Sequence, residues 1–291
     1  MVRDQRVQPI SDSISSAVEV LEGSTIAVIT GAGISTESGI PDYRGTGAKP
    51  QSRIDFATFE ASPLVRTKYW LRGHLGWQRF ATAEPNIGHV ALVEMEQAGM
   101  ISGVITQNVD GLHRKAGSQR VVELHGNISR VVCLSCGQRF SRSRFDGNFV
   151  ELNPWVTDSF RRSAASLEEV DLYTPDVLAR VTIPACSVCG GCLKPDVVFF
   201  GEFVPTATYA ASTELIRQSD ALIVAGSSLV VNSAVRLVEL ARKRKMPIVI
   251  VNRGETKSDR WATIRIEAGC GEVLSALSRQ LGAPERYQDI E

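Results

Sequence analysis

The chain has 291 residues, enough for one or two domains and for a core that needs no disulfide staples. Its 43% hydrophobic and 22% charged content is ordinary for a globular protein, and no apolar run approaches the ~18 residues of a membrane-spanning helix. Thirty-two Lys and Arg balance thirty-two Asp and Glu, so the basic excess of a nucleic-acid binder is missing and neither nucleic acid nor membrane is expected as a partner.

Residues 1–10 carry Arg3, Asp4 and Arg6 with no apolar stretch behind them. No secretory signal is expected, and Asp4 and Asp12 argue against a transit peptide. A bacterial-type cytoplasmic location is therefore expected in preference to a mitochondrial one. Along the chain, short apolar runs end abruptly in turn chemistry. A strand at 25–30 stops at Gly31, one at 101–106 at Gln107-Asn108, and one at 221–225 at Gly226-Ser227-Ser228. Runs at 247–251 and 262–266 stop at Asn252-Arg253-Gly254 and Glu267-Ala268-Gly269. Such unbroken runs suit strands buried on both faces of a parallel sheet.

Helical spacing lies between the strands. Val90, Leu92, Val93 and Met95 precede Gly99; Ala234, Val235, Val238, Leu240 and Ala241 share helical spacing; Val273, Leu274, Leu277 and Leu281 make a last amphipathic helix. The alternation predicts an α/β fold, a Rossmann-like doubly wound parallel sheet, whose ligands bind where the strands' C-terminal ends open. Residues 131–194 break the rhythm and are expected to form a small zinc-binding module inserted between the two parts of the sheet domain, 1–130 and 195–291. Its Arg139, Arg142, Arg144, Arg161 and Arg162 read as a solvated face, because Glu168, Glu169 and Asp171 follow closely.

Within the module, Cys133-Leu-Ser-Cys136-Gly137 and Cys186-Ser-Val-Cys189-Gly190 form twin knuckles with residues 137–185 between them. Four thiolates suit a tetrahedral structural zinc and leave no open coordination position. Cys192 is a spare thiol, and Cys270 stands apart.

The turn Thr30-Gly31-Ala32-Gly33-Ile34-Ser35 opens like a dinucleotide fingerprint, in which glycines let the backbone approach a pyrophosphate. Thr36 stands where the third glycine belongs, and no acidic residue closes a second strand about twenty residues on, so a plain dehydrogenase is disfavoured. A glycine turn without a ligand fits this stretch equally well. Gln107, Asn108 and Asp110 put amides and a carboxylate at another strand end, suited either to an amide-bearing ring or to capping a turn. His125, after the apolar Val121-Val122 and before Gly126, is placed to offer an imidazole as general base.

Taken together, Gly31–Ser35, Ser38-Gly-Ile-Pro-Asp-Tyr-Arg44, Thr106–Asp110, Leu124-His-Gly126, the two knuckles, Gly226-Ser-Ser228 and Asn252 stand in the order found in sirtuins. The chain resembles that family from Ile26 to Leu277. The long inter-knuckle stretch, Val150-Glu-Leu-Asn-Pro-Trp155 and Leu193–Glu202 resemble its class II, the subgroup of the mitochondrial sirtuin four of animals and its bacterial relatives. The resemblance implies an NAD-dependent protein lysine deacylase acting on acyl-lysine proteins or peptides. NAD is consumed, a zinc ion is structural, and the products are nicotinamide, deacylated lysine and O-acyl-ADP-ribose. It implies that His125 deprotonates a ribose hydroxyl that attacks an alkylimidate, and that Asn108 and Asp110 orient the nicotinamide end. By the same resemblance Gln107 contacts a ribose, Ala32 and Ser35 line the phosphate side with Gly31 and Gly33, and Asp42, Tyr43 and Arg44 belong to a cofactor-binding loop. Gly226, Ser227 and Ser228 match a second phosphate and ribose loop, and Asn252, Gly254 and Cys270 match the adenosine end. Val198, Phe199 and Gly201 match the strip that pairs with substrate backbone.

Tyr69 and Arg72, at i and i+3, resemble the pair that binds a distal carboxylate in relatives removing acidic acyl groups; the alternative is a solvent-facing Arg beside a packed Tyr. Two other functions stay open: mono-ADP-ribosyl transfer to proteins, and a zinc-stapled NAD sensor without catalysis.

Overall fold

A computed structural model describes residues 9–42, 55–158, 160 and 173–284. Its strands, in chain order, are β1 (Ile26–Thr30), β2 (Ile101–Thr106), β3 (Val121–Glu123), β4 (Gly126–Cys133), β5 (Arg139–Ser141), β6 (Leu193–Val197), β7 (Ala221–Ala225), β8 (Ile248–Val251) and β9 (Ile264–Ile266). Every residue of β1, β2, β7 and β8 is buried, as unbroken apolar runs require. The last expected strand is shorter than its apolar run, because Ala262 closes a 3₁₀ turn over Asp259–Trp261.

Contacts divide the chain into two compact units. The first comprises Met1–Pro50, Ala83–His125 and Val204–Glu291. It holds a six-stranded sheet in the order β3-β2-β1-β7-β8-β9, parallel throughout. Alternate side chains feed two cores. Ile26, Val28, Val104, Ile223 and Val249 face the helices Ile10–Leu21, Ile87–Gln97 and Cys270–Gln280. Ala27, Ile29, Ile105, Leu222, Val224 and Ile250 face the helices Thr206–Arg217 and Asn232–Lys243. Helices on both faces make the sheet doubly wound. The helix 232–243 buries Ala234, Leu237, Val238 and Ala241, so Leu237 joins the expected positions while Val235 and Leu240 pack at the margin.

The second unit comprises Gln51–Thr82 and Gly126–Phe203. Besides the cysteine stretch it therefore includes the helix Pro63–Thr82, which no cysteine spacing announces. Its strands form a small antiparallel sheet, β5-β4-β6. Trp70 and Leu71 join Val131, Phe145, Phe149 and Leu193 in one core, and the Trp70 indole N–H donates to the Leu193 carbonyl at 3.2 Å.

The expected solvated arginine face requires a correction at Arg142, which is only 1% exposed. Its guanidinium lies 4.9 Å from the Trp70 ring and 5.3 Å from that of Trp77. Asp146, one helical turn on, stands 3.9 Å away. A weakly hydrated planar cation stacks on aromatic faces at modest desolvation cost, so a charged residue here behaves as core. Arg139 pairs with Asp196 at 3.0 Å, and Arg144 stays exposed. Arg161 and Arg162 lie outside the described residues.

In the first unit two fully buried histidines pack with ring centroids 4.8 Å apart. His89 Nδ1 accepts from the Asn86 backbone N–H in a capping box, and His113 Nε2 lies 2.9 Å from Thr30 Oγ1. Burial lowers His89 from 6.5 to about 4, and burial together with His89 pushes His113 well below its ordinary value. As pH falls below 6.5 the unfolded chain protonates these imidazoles before the folded one does, so stability should decline toward pH 4. Glutamine satisfies a capping box without titrating. His89→Gln should therefore flatten the fall of the urea-unfolding midpoint between about pH 7 and about pH 4.5, whereas an unchanged slope would remove His89 as a source of acid lability.

Candidate active site and metal centre

Parallel register brings distant motifs to one line. Thr30 of β1 is level with Thr106 of β2 and Ala225 of β7, Ala225 with Val251 of β8, and Thr106 with Glu123 of β3. The chain therefore leaves the sheet side by side at Gly31, Gln107, Gly226 and Asn252. This edge includes the reversal between β1 and β7 where the two halves of the sheet diverge.

At that reversal the backbones nearly touch. A Cβ on Gly31 would lie 2.7 Å from the Gly226 carbonyl oxygen, and one on Gly33 would lie 2.8 Å from the Gly226 Cα. Gly226 itself has φ +67°. Side chains are excluded here by contact between the two loops, in addition to any need to admit a ligand. Residues 32–38 then form a 3₁₀ turn. Thr36 sits exposed on it, its hydroxyl donating to the Gly33 carbonyl at 3.0 Å, so the missing third glycine leaves no clash.

Polar groups from three strand ends join in one network. Asn108 Nδ2 donates to the Gly31 carbonyl and to Ser35 Oγ, both at 3.0 Å, and Ser35 Oγ donates to Asp110 Oδ2 at 2.8 Å. The other oxygen of Asp110 accepts from the Leu112 backbone N–H at 2.9 Å. Burial raises the Asp110 carboxyl above the ordinary range against these hydrogen bonds, and Glu123 adds to the rise. Gln107 Nε2 donates to Ser227 Oγ at 2.8 Å and to the Thr30 carbonyl at 3.3 Å.

His125, half-buried, lies in the same unit with both ring nitrogens engaged. Nδ1 is 3.1 Å from the Gln107 carbonyl oxygen and Nε2 is 3.0 Å from Ser233 Oγ. A carbonyl can only accept, so Nδ1 carries the proton and neutral His125 presents its lone pair at Nε2. Burial lowers its pKa, and the Gln107 carbonyl opposes that shift. Ser233 is the residue that sequence reasoning missed. It is 108 positions from His125 and reads as an ordinary helix-start serine.

Further along the edge, buried Asn252 donates from Nδ2 to the carbonyls of Arg253 and Gly254 at 2.9 and 3.0 Å, shaping the turn after β8. Cys270 begins the helix 270–280 with its thiol buried and pushed up to about 12 by desolvation and by Glu37, so its backbone is the part suited to a ligand. Asp42 is half-buried, whereas Tyr43 and Arg44 lie outside the described residues.

In the second unit, the sulfurs of Cys133, Cys136, Cys186 and Cys189 all lie within 4.8 Å of one another. Cys133 and Cys189 are 3.5 Å apart, and Cys136 and Cys186 are 3.8 Å apart. Zn–S bonds of ~2.3 Å in a tetrahedron give sulfur separations of ~3.8 Å, so the donor set fits zinc. Gly137 and Gly190 close the knuckles at φ +72°. Backbone N–H groups at Cys136 and Ser135 help bring Cys133 down to about 6. The Gly191 N–H lowers Cys189, but the neighbouring sulfurs prevail and raise it to about 12. Cys133 gives up its proton easily and Cys189 resists doing so, a difference that a dication shared by the four sulfurs removes. Cys192 is half-buried, its thiol pushed up by desolvation, and it stands outside the four-sulfur group.

The same unit carries the expected substrate strip just after β6. Phe199 is buried against the rings of Phe59 and Tyr69, at 5.2 and 5.3 Å between centroids, while Val198 is half-buried and Gly201 exposed. Lys194 Nζ and the Phe199 backbone N–H both donate to Glu202 Oε2 at 2.7 Å, fixing the turn. Tyr69 and Arg72 lie one turn apart on the helix 63–82, each half-buried.

Comparison with known proteins points one way. The family model described as "Sir2 family" matches residues 31–233. The NAD-dependent protein deacetylase 1 of Mycobacterium avium is 47% identical over 266 residues, spanning 91% of this chain and 94% of that protein. The NAD-dependent protein lipoamidase sirtuin-4, mitochondrial, of Bos taurus is 44% identical over 255 residues, spanning 86% of this chain and 80% of its own. A solved structure described as "Sir2-p53 peptide-NAD+" superposes with a TM-score of 0.74 at 30% identity, covering 93% of this chain and 99% of that one. Among the described residues no helix is long and apolar enough to cross a membrane.

The four-sulfur geometry makes a direct prediction. The purified chain should contain one zinc per chain, and Cys133→Ser or Cys186→Ser should lose it with loss of protection from hydrogen exchange in β4 and β6. Full metal content in either variant would refute a four-thiolate site. Zinc added to the stripped protein near neutral pH should release protons, because a thiol must give up its proton to ligate the metal.

Proposed function

The chain belongs to the Sir2 family, and from that premise we propose that it is an NAD-dependent protein lysine deacylase, releasing nicotinamide, free lysine and an O-acyl-ADP-ribose. The observation that carries the reading is the imidazole of His125, oriented by the Gln107 carbonyl at the same strand-end edge as the Gly31–Gly33–Gly226 contact. NAD, when bound, supplies an electrophilic ribose carbon that accepts the acyl oxygen as nicotinamide departs. The turns after β1 and β7 support a pyrophosphate site, because Gly31, Gly33 and Gly226 pack backbone on backbone where no side chain fits.

The residues divide the work as follows. Gly31, Ala32, Gly33, Gly226, Ser227 and Ser228 hold phosphate and ribose, with Gln107 reaching a ribose hydroxyl. Asn252, Gly254 and the backbone of Cys270 hold the adenosine end, and Asp42, Tyr43 and Arg44 contribute to cofactor binding. Asn108 and Asp110, cross-linked through Ser35, orient the nicotinamide end. His125 is the base. A group that must accept a proton near neutrality is well served by burial that keeps it unprotonated. Zinc holds the second unit together and takes no part in the chemistry, having four protein ligands.

Val198, Phe199 and Gly201 bind the acyl-lysine peptide backbone, and Arg72 beside Tyr69 favours acyl chains ending in a carboxylate. The Lys194–Glu202 pair supports this reading by immobilising the strip that carries them.

The test incubates the protein with NAD and lysine peptides bearing acetyl, longer aliphatic, lipoyl, biotinyl, succinyl and methylglutaryl groups, with products read by mass spectrometry. Loss of acyl matched by O-acyl-ADP-ribose is expected. ADP-ribose on protein with no acyl loss would replace the reading by ADP-ribosyl transfer, and no NAD turnover would leave a binding protein. His125→Ala should cut deacylation by about 10²-fold or more. The acid limb of the wild-type rate should fall below 6.5, the ordinary imidazole value. Arg72→Met should slow removal of succinyl and methylglutaryl groups and spare acetyl.

A further inference from the structure

Ser233 has no part in the assignments above, yet its hydroxyl is the only group within hydrogen-bond distance of His125 Nε2 among the described residues. The direction of that bond follows from the other side of the ring. Nδ1–H is committed to the Gln107 carbonyl, so neutral His125 has only a lone pair at Nε2, and the Ser233 hydroxyl donates to it. Once Nε2 gains a proton it becomes a donor, and the same oxygen accepts from it after a rotation of its O–H. A hydroxyl serves both protonation states at one heavy-atom position, which neither an amide N–H nor a carbonyl can do. Ser233 is half-buried on the first turn of the helix 232–243, whose Ala234 and Leu237 anchor it in the core.

We propose that Ser233 is a proton-relay residue, through which the reacting substrate hydroxyl reaches the base His125. The step balances: the Ser233 O–H bond breaks as its proton forms the Nε2–H bond, and Ser233 Oγ takes the proton of the substrate hydroxyl. Ser233 ends neutral, His125 ends as an imidazolium hydrogen-bonded on both nitrogens, and the substrate oxygen becomes the nucleophile. The inference rests on the deacylase reading and on His125 as its base. It deepens that reading by making the base a pair.

Ser233→Ala is the test, read in two ways. In the protein without substrates, the ¹⁵N resonance of His125 Nε2 should shift as its hydrogen-bond donor is lost, while Nδ1 keeps its proton. The assignment is practical because the chain has four histidines. In turnover, kcat for deacylation should fall about 10²-fold with KM for NAD and peptide unchanged, as loss of a proton-transfer group predicts. Exchange of labelled nicotinamide into NAD should persist, because it precedes the step that needs the base. The dependence of kcat on the deuterium fraction of the solvent should change from curved to linear, two protons in flight becoming one. Ser233→Thr should restore rate and curvature, and Ser233→Cys should fall between. Wild-type kcat in Ser233→Ala, or a deuterium dependence that the substitution leaves unchanged, would overturn the relay. If His125→Ala also retained deacylation, the assignment of the base itself would fail; a loss confined to His125→Ala would sink the relay alone.

Discussion

The active-site end of this protein depends on the hydrogen-bond register of one parallel ladder. Thr30, Thr106, Ala225 and Val251 stand level in β1, β2, β7 and β8, so four segments far apart in the chain leave the sheet at one edge. Hydrophobic burial holds that register. Successive side chains enter cores on opposite faces, and a slip of one residue would exchange every strand's two faces. A sheet covered on both sides by helices therefore has one low-energy alignment, and alignment of the functional loops follows from it.

Close contact adds a second constraint. Gly31 and Gly33 meet Gly226 with no room for a Cβ, so the first and second halves of the sheet are locked in backbone contact at that edge. Polar side chains then span the edge: Gln107 reaches Ser227, and Asn108 reaches both the Gly31 carbonyl and Ser35. Each bond is short-range and modest alone. Connected, they hold the Asp110 carboxylate and the His125 ring in fixed orientations before any ligand arrives, which is the arrangement that stabilises a reacting group most effectively.

The second unit solves a different problem. Its antiparallel sheet is small, and its core combines Trp70, Phe145 and Phe149 with two of the cysteines. Four close sulfurs cannot all ionise without a cation, so zinc and fold are coupled there through electrostatics. Arg142 adds a cation within the aromatic core, balanced by Asp146.

By itself the sequence located five of the six strands of the parallel sheet, the doubly wound α/β class and the twin knuckles, and it marked His125 as a candidate base, because each of these readings depends on local periodicity, turn chemistry or spacing. Short unbroken apolar runs that end in turn chemistry suit strands buried on both faces, and two C-x-x-C-Gly pairs suit a four-thiolate site. Only the tertiary structure decided which groups meet. The arginines at 139, 142 and 144 look alike in sequence, yet Arg142 is core, because the Trp70 and Trp77 rings, from a helix far earlier in the chain, cover it. Ser233 likewise carries no mark in the chain. It becomes the partner of His125 because the helix that bears it packs on the sheet face that ends beside the base, a relation set by three-dimensional packing and absent from any local pattern.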